Sequence, residues 1–240
     1  MASGKGILLG AFGGLVLRNA TVRALHDVAG SFRWLELAGP DLSGVTFVPG
    51  DKVQVLLPSR DVRTFTPLSW DPTSGATELL VFHHDPTPVG RWIRALAAGD
   101  PCRFIGPQRS IRAPKTGPIV LFGDETSAAL ARALARALAR ATSERPLACV
   151  LETRVEGDLT IALGPDIPRA TLVPRRPDDA HLDAIVHHLH AELTRLPGAN
   201  LILTGRAQAI QKLRAALKER ALPRPIATRA YWSLGKSGLD

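Results

Sequence analysis

Asp61-Val62-Arg63-Thr64-Phe65-Thr66-Pro67-Leu68-Ser69-Trp70-Asp71 is the stretch from which the fold of this 240-residue chain can be read. Side chains alternate between the faces of an extended strand, so Arg63 and Phe65 project one way while Thr64 and Thr66 project the other. Such a segment suits a flat, anionic ligand. A guanidinium at Arg63 can fork onto a pyrophosphate, the Phe65 ring can lie along a ring system, and the amide or hydroxyl of Thr66 can meet a ring nitrogen. Taken alone, the same residues equally describe a barrel strand with one half-buried Phe.

Working outward, the first hundred residues read as short strands divided by turn chemistry. Candidate strands are Leu15 to Arg23, Phe32 to Ala38, Lys52 to Leu57, Arg63 to Trp70, Glu78 to His83 and Cys102 to Ile105. Gly39-Pro40-Asp41, Pro49-Gly50-Asp51, Asp71-Pro72 and Gly99-Asp100-Pro101 separate them, and these residue types favour turns. Short strands so spaced predict a small antiparallel barrel, which needs no exposed edge. One helix interrupts it, from Pro88 to about Ala98. Proline suits a first helical turn, and the free N–H groups there make a seat for phosphate. A plain capping helix with Trp92 and Leu96 turned to the core is the competing expectation.

From Pro118 the pattern changes. Ile119-Val120-Leu121-Phe122 is a short continuous apolar run of the kind buried parallel strands require, and it feeds Gly123-Asp124-Glu125-Thr126 and a helix over Ser127 to Arg140. In that helix Leu130, Leu134 and Leu138 make a stripe, with Arg132, Arg136 and Arg140 nearly opposite on an expected solvated face. Strands at Ala148 to Thr153, Asn200 to Thr204 and Pro225 to Arg229 alternate with helices at Pro177 to Leu196 and Gln208 to Arg220. That alternation predicts a doubly wound, mostly parallel sheet, with ligands beyond the carboxyl ends of its strands. The boundary falls near Arg112 to Gly117, dividing the chain into a barrel domain at 1–114 and an α/β domain at 115–240.

Four motifs in this order resemble the siderophore-interacting protein family, FAD-dependent ferric-siderophore reductases of the ferredoxin reductase-like superfamily. They are Arg63 to Thr66, the strand-turn-helix stretch Leu80 to Trp92, Gly123 to Thr126, and Tyr231-Trp232. The resemblance runs from about Leu15 to Gly235. It implies an FAD-binding β-barrel followed by an NAD(P)H-binding-like α/β domain with a C-terminal aromatic tail. Arg63 would face the FAD diphosphate across the turn formed by His83, His84, Asp85, Thr87, Pro88 and Val89, with Trp92 behind it. Thr64, Phe65 and Thr66 would meet the flavin. Gly123, Asp124, Glu125, Thr126 and Arg154 would serve the dinucleotide side, and Thr66, Tyr231 and Trp232 would stand at the reacting centre. NADPH or NADH would give hydride to the flavin, which would pass single electrons to Fe(III) in a siderophore.

The chain departs from the family pattern R-x-Y-T-x-R, with Phe65 for the tyrosine and Leu68 for the second arginine. His84 stands where glycine is usual, and Arg206 where glutamate is. A family member without turnover, binding flavin or a partner only, is therefore the alternative. For the donor, Glu152 and Arg154 lie two apart. They could pair with each other; if Arg154 is instead free at the strand end, with Arg175 and Arg176 close, the local field favours the extra phosphate of NADPH.

Composition bounds the rest. A formal charge of +8, from 30 Lys and Arg against 22 Asp and Glu, favours anionic partners. Nucleic acid is not expected, because only 5% of residues are aromatic and no basic run has aromatics interleaved as a stacking platform needs. Cys102 and Cys149 read as buried free thiols of a cytoplasmic protein. No stretch reaches the length of a membrane span, and the apolar run Ile7 to Leu17 lacks a clean cleavage site. A monomer is expected. His181, His187, His188 and His190 share one helix with Asp183, but the stripe Leu182, Ile185, Val186, Leu189 and Leu193 leaves them on its flanks, and no resident metal is expected. Gly235-Lys236-Ser237 lacks the earlier glycine of a phosphate loop, since residue 230 is Ala230.

Overall fold

Apolar residues on every second position of the first hundred build one curled sheet. In the computed structural model, which describes residues 17–141, 145–167, 169–220, 222 and 225–235, seven antiparallel strands comprise β1 (Leu17–Ala29), β2 (Phe32–Ala38), β3 (Lys52–Leu56), β4 (Val62–Phe65), β5 (Pro67–Asp71), β6 (Ala76–Phe82) and β7 (Pro101–Gln108). Their order is β4-β3-β7-β1-β2-β6-β5. The start of the apolar run Ile7 to Leu17, and Lys236 and Ser237, lie outside the described residues.

The expected single strand Arg63 to Trp70 is two strands. β4 and β5 are the two edges of the sheet, so the chain crosses from one edge to the other at Thr66. Pro67 permits this, because a residue without an N–H is tolerated at the start of an edge strand. The sheet curls until its edges meet where the ligand-binding tetrapeptide was expected. Val22, Leu35, Leu37, Val53, Val55, Leu79, Val81 and Phe104 fill the interior. Helix α1 (Pro88–Ala95) caps it with Trp92 and Ile93, and ends three residues before the expected Ala98.

In the second half, β8 (Ile119–Gly123), β9 (Leu147–Thr153), β10 (Ala170–Pro174), β11 (Asn200–Arg206) and β12 (Ala227–Trp232) form a parallel sheet in the order β10-β9-β8-β11-β12. Helices α2 (Ala128–Ala139) and α3 (Glu156–Leu163) cover one face. Helices α4 (His181–Arg195) and α5 (Ala207–Glu219) cover the other. β8 is buried throughout, as a central strand covered on both faces must be.

Several sequence expectations are corrected. α3 and β10 were missed. Within α3, Leu159, Ala162 and Leu163 are buried while Ile161 is 57% exposed, so no stripe marks it. β10 is only five residues long and closes on Pro174. α4 begins at His181 rather than Pro177, after a turn through Asp179 in the left-handed region, φ 63°. β12 runs on to Trp232, so Tyr231 and Trp232 belong to an edge strand and not to a tail. Of the arginines expected on the solvated face, Arg140 is exposed, but Arg132 and Arg136 both reach Asp166, and Arg136 also pairs with Glu78 of β6 at 3.0 Å.

That last contact joins the two halves. Phe32, Leu68 and Leu80 of the barrel share one apolar cluster with Leu121, Leu130 and Leu159 of the α/β domain. Asp158 of α3 takes the Ser31 N–H and hydroxyl, at 2.8 and 2.6 Å, in the β1–β2 turn. Continuous burial at this interface holds the two walls of the cleft described next in one arrangement.

Candidate functional site

The barrel seam and the carboxyl ends of the parallel strands face each other across a cavity of about 580 Å³. On the barrel side it is lined by Arg63, Thr64, Phe65 and Thr66, by His83 and His84, and by the start of α1 at Thr87, Pro88 and Val89. On the other side stand Glu125, Thr126, Arg154, Tyr231 and Trp232. Residues from five separate stretches of sequence thus meet around one space.

Four predicted residues do not line it. Trp92 is 8% exposed, belongs to the barrel core, and packs under Phe65 with ring centroids 6.0 Å apart. The core-facing expectation holds for it, since the tryptophan fills the barrel end. Asp85 pairs with Arg94 of α1 outside the cavity. Gly123 lies beneath the wall, where a Cβ would stand 2.4 Å from that of Ser127; the turn into α2 requires that close approach. Asp124 is fully buried behind Thr126 and Trp232.

Local structure explains the barrel side. Thr87 caps α1, its hydroxyl oxygen accepting the Gly90 N–H at 3.0 Å. Proline follows at the first helical position, and the positive end of the helix faces the cavity beside Arg63. Arg63 keeps 19% of its side chain exposed, and its polar contacts among the described residues are local: it donates to the Val62 carbonyl at 2.9 Å and stands 3.5 Å from Asp61. Leu68, at the position of the family's second arginine, is a core residue, 3% exposed, and supplies no cation.

The opposite wall is tied by ion pairs. Arg175 donates to Glu125 at 2.8 Å, stands 3.4 Å from Glu152, and lies over the Trp232 ring, 5.5 Å from its centroid. Glu125 also accepts the Arg154 N–H at 2.6 Å. Glu152, wholly buried, is held by His181 at 2.6 Å and Arg206 at 3.3 Å. The Arg176 N–H donates to His181 Nδ1 at 3.2 Å, so the other ring nitrogen carries the proton and donates to Glu152. His181 is therefore a core residue, not a flanking one, while His187 and His190 are exposed.

These contacts decide between the two readings of Glu152 and Arg154. They do not pair. The Arg154 side chain lies exposed on the cavity wall and joins no ion pair among the described residues. Sequence reasoning gave Arg175 only a phosphate-facing role and missed its place over Trp232. Gln54 and Leu80 were missed as lining residues. Register carries a signal for Gln54, which is the cross-strand partner of Thr64.

Burial perturbs two groups here. It pushes the Tyr231 phenol up, against the pull of the Thr66 hydroxyl beside it. It also pushes Asp124 up to about 6, opposed by its bonds to Thr126 and Trp232. Burial and the neighbouring Arg229 lower Lys52 of β3.

No family model matches the chain, and no curated protein matches it in sequence. Solved structures do share its fold. A siderophore utilization protein from T. fusca superposes with a TM-score of 0.76 at 22% identity, covering 94% of this chain and 96% of the other. The siderophore interacting protein from Acinetobacter baumannii gives 0.72 at 16% identity, covering 93% and 92%. A mutant of ferredoxin-NADP+ reductase from Plasmodium falciparum gives 0.69 at 11% identity, covering 92% and 97%. The architecture is that of siderophore-interacting proteins and ferredoxin reductases, an antiparallel barrel followed by a parallel α/β domain. Among the described residues no helix is long and apolar enough to cross a membrane, and no group of three or more His, Cys, Asp or Glu is placed to hold a metal ion.

Proposed function

We propose that this chain is a flavin-dependent reductase that binds FAD in the cavity and passes electrons from a nicotinamide dinucleotide to Fe(III) held by a siderophore. The observation that carries this reading is the meeting of Arg63 to Thr66, the α1 N-terminus and Tyr231-Trp232 around one space. Their chemistry fits the group: a guanidinium and a helix N-terminus suit a diphosphate, and Phe65, Phe82, Tyr231 and Trp232 suit a planar ring. When bound, FAD would supply the conversion of a two-electron donation into single-electron steps. The residues' own tasks are to hold it, exclude water and admit a chelate. Arg63, Arg154 and Arg175 line the cavity against Asp61 and Glu125, an excess of positive charge that suits an acidic chelate. The direct test is the visible spectrum of the purified protein with FAD, then with reductant, then with a ferric hydroxamate. Bleaching followed by recovery of the flavin bands, with Fe(II) formed, is expected; a protein that never acquires flavin absorbance overturns the proposal and leaves the binding-only alternative.

Thr66 tests the local geometry. If its amide meets the flavin, Thr66→Ala leaves FAD affinity within about twofold, whereas Thr66→Pro, which deletes the donor, weakens it. Equal affinity in both variants, read by fluorescence titration, removes the amide from the site.

The donor is proposed to be NADPH rather than NADH. Arg154 is exposed on the wall, Arg176 is exposed one residue beyond Arg175, and Glu152 is too deeply engaged to take ribose hydroxyls. Anaerobic flavin reduction should be faster with NADPH, and Arg154→Ala should reduce that preference on the order of tenfold, the scale of one charge-assisted contact. Equal rates with the two donors, or a preference that survives the substitution, would place the discrimination elsewhere.

A further inference from the structure

Asp124 stands out among the buried carboxylates. Glu125 and Glu152 have guanidinium partners, whereas Asp124, 0% exposed, has no ion pair among the described residues. It caps the turn into α2 together with Ser127, and its side-chain bonds to Thr126 and Trp232 run toward the cavity wall. One oxygen accepts both the N–H of Thr126, at 2.9 Å, and the Thr126 hydroxyl. The other accepts Trp232 Nε1 at 2.7 Å. Thr126 and Trp232 line the cavity and Asp124 does not. Behind it the backbone of Gly205 presses so close that a Cβ there would lie 2.5 Å from its carboxylate. The Thr126 hydroxyl is thus a one-atom bridge between a sealed carboxylate and the cavity.

We propose that Asp124 is the proton acceptor of the cavity, reached through the Thr126 hydroxyl; this rests on the FAD reading above. When bound, reduced FAD would supply two electrons, enough for two ferric chelates, and one proton that the site has to accept. The hydroxyl oxygen of Thr126 takes that proton as its own passes to Asp124 Oδ1, and the carboxyl later returns it to water by the same route. Asp124 acts through Thr126 and touches neither cofactor nor chelate. Its basicity suits the task. Burial raises it to about 6, the neighbouring Glu125 adds to that, and the Thr126 and Trp232 bonds and Arg175 of β10 oppose it. From β12, Tyr231 faces it as a neutral phenol raised further by burial. An acceptor poised near the working pH transfers protons most effectively.

The apoprotein gives the first measurement. Because Trp232 donates to Asp124, its emission should change with a midpoint near pH 6 in the wild type. That transition should vanish in Asp124→Asn and in Trp232→Phe; its persistence in Asp124→Asn overturns the proposal. The second measurement uses FAD-loaded, photoreduced protein mixed with ferric acetohydroxamate. Re-oxidation should fall as the pH drops below about 6 in the wild type. It should be slower on the order of a hundredfold, and flat with pH, in Asp124→Asn and Thr126→Val, and restored by Thr126→Ser. Unchanged rates and pH profile in both slow variants, with FAD bound, overturn the relay and leave the flavin reading standing. Failure of every protein to take up FAD overturns both.

Discussion

Replacing Arg206 with methionine should destabilise the protein by about 3–5 kcal/mol, the usual cost of removing one partner from a buried charge pair. Arg206 is 3% exposed at the carboxyl end of β11, where it joins the wholly buried Glu152 to Asp179 of the turn before α4. Without it, among the described residues Glu152 keeps only His181 and Arg175 as ionic partners, and Asp179 keeps only Lys212, whose side chain is 58% exposed. The pH dependence carries a sign. The Arg206 and Lys212 bonds hold Asp179 down to about 2, below its ordinary 3.8. A depressed carboxylate contributes stability above its unfolded value and loses it as the pH falls through its folded value. The gap between wild type and variant in urea midpoint should therefore be full at pH 7 and narrow between about pH 4 and 2. A gap that stays constant down to pH 2 would separate the loss from Asp179.

Replacing Arg63 with alanine should weaken FAD binding on the order of tenfold to a hundredfold, since a bidentate, charge-assisted contact contributes about 1.5–3 kcal/mol. The side chain is half-buried on the cavity wall, and its only carboxylate neighbour among the described residues, Asp61, is 3.5 Å away and 35% exposed. A pair of that kind is weak, so the guanidinium is available to a diphosphate. Asp61→Asn should leave affinity unchanged or raise it a few fold, because it removes a negative charge beside the expected anion. Fluorescence-quenching titrations with FAD measure both variants. Wild-type affinity in Arg63→Ala would take Arg63 out of the site.

Much of the fold is legible because it rests on periodicity. The alternation in Phe32 to Ala38, the continuous apolar run at Ile119 to Phe122, and the stripe of α4 each identify their element from within a few residues. The signal fails where burial is not periodic. α3 presents Ile161 to solvent beside buried Leu159, and β10 is too short for its pattern to stand out. The site was legible as motifs in order, but order does not say which side chains turn inward. Trp92 and Asp124 sit within motifs whose neighbours line the cavity, yet one fills the barrel end and the other lies sealed behind the wall.

By itself the sequence determined the antiparallel barrel and the parallel sheet after Pro118, because alternation, turn residues and apolar runs act over a few neighbours; the candidate site residues came from the resemblance of four motifs in order. Only the tertiary structure decided their pairing. Glu152 binds His181 and Arg206 rather than Arg154, Arg175 rests on Trp232, and Trp232 donates to Asp124. Each of these contacts joins residues from different strands or turns. Which charge a buried carboxylate finds there depends on how strand ends are brought together by packing, and no local pattern encodes it.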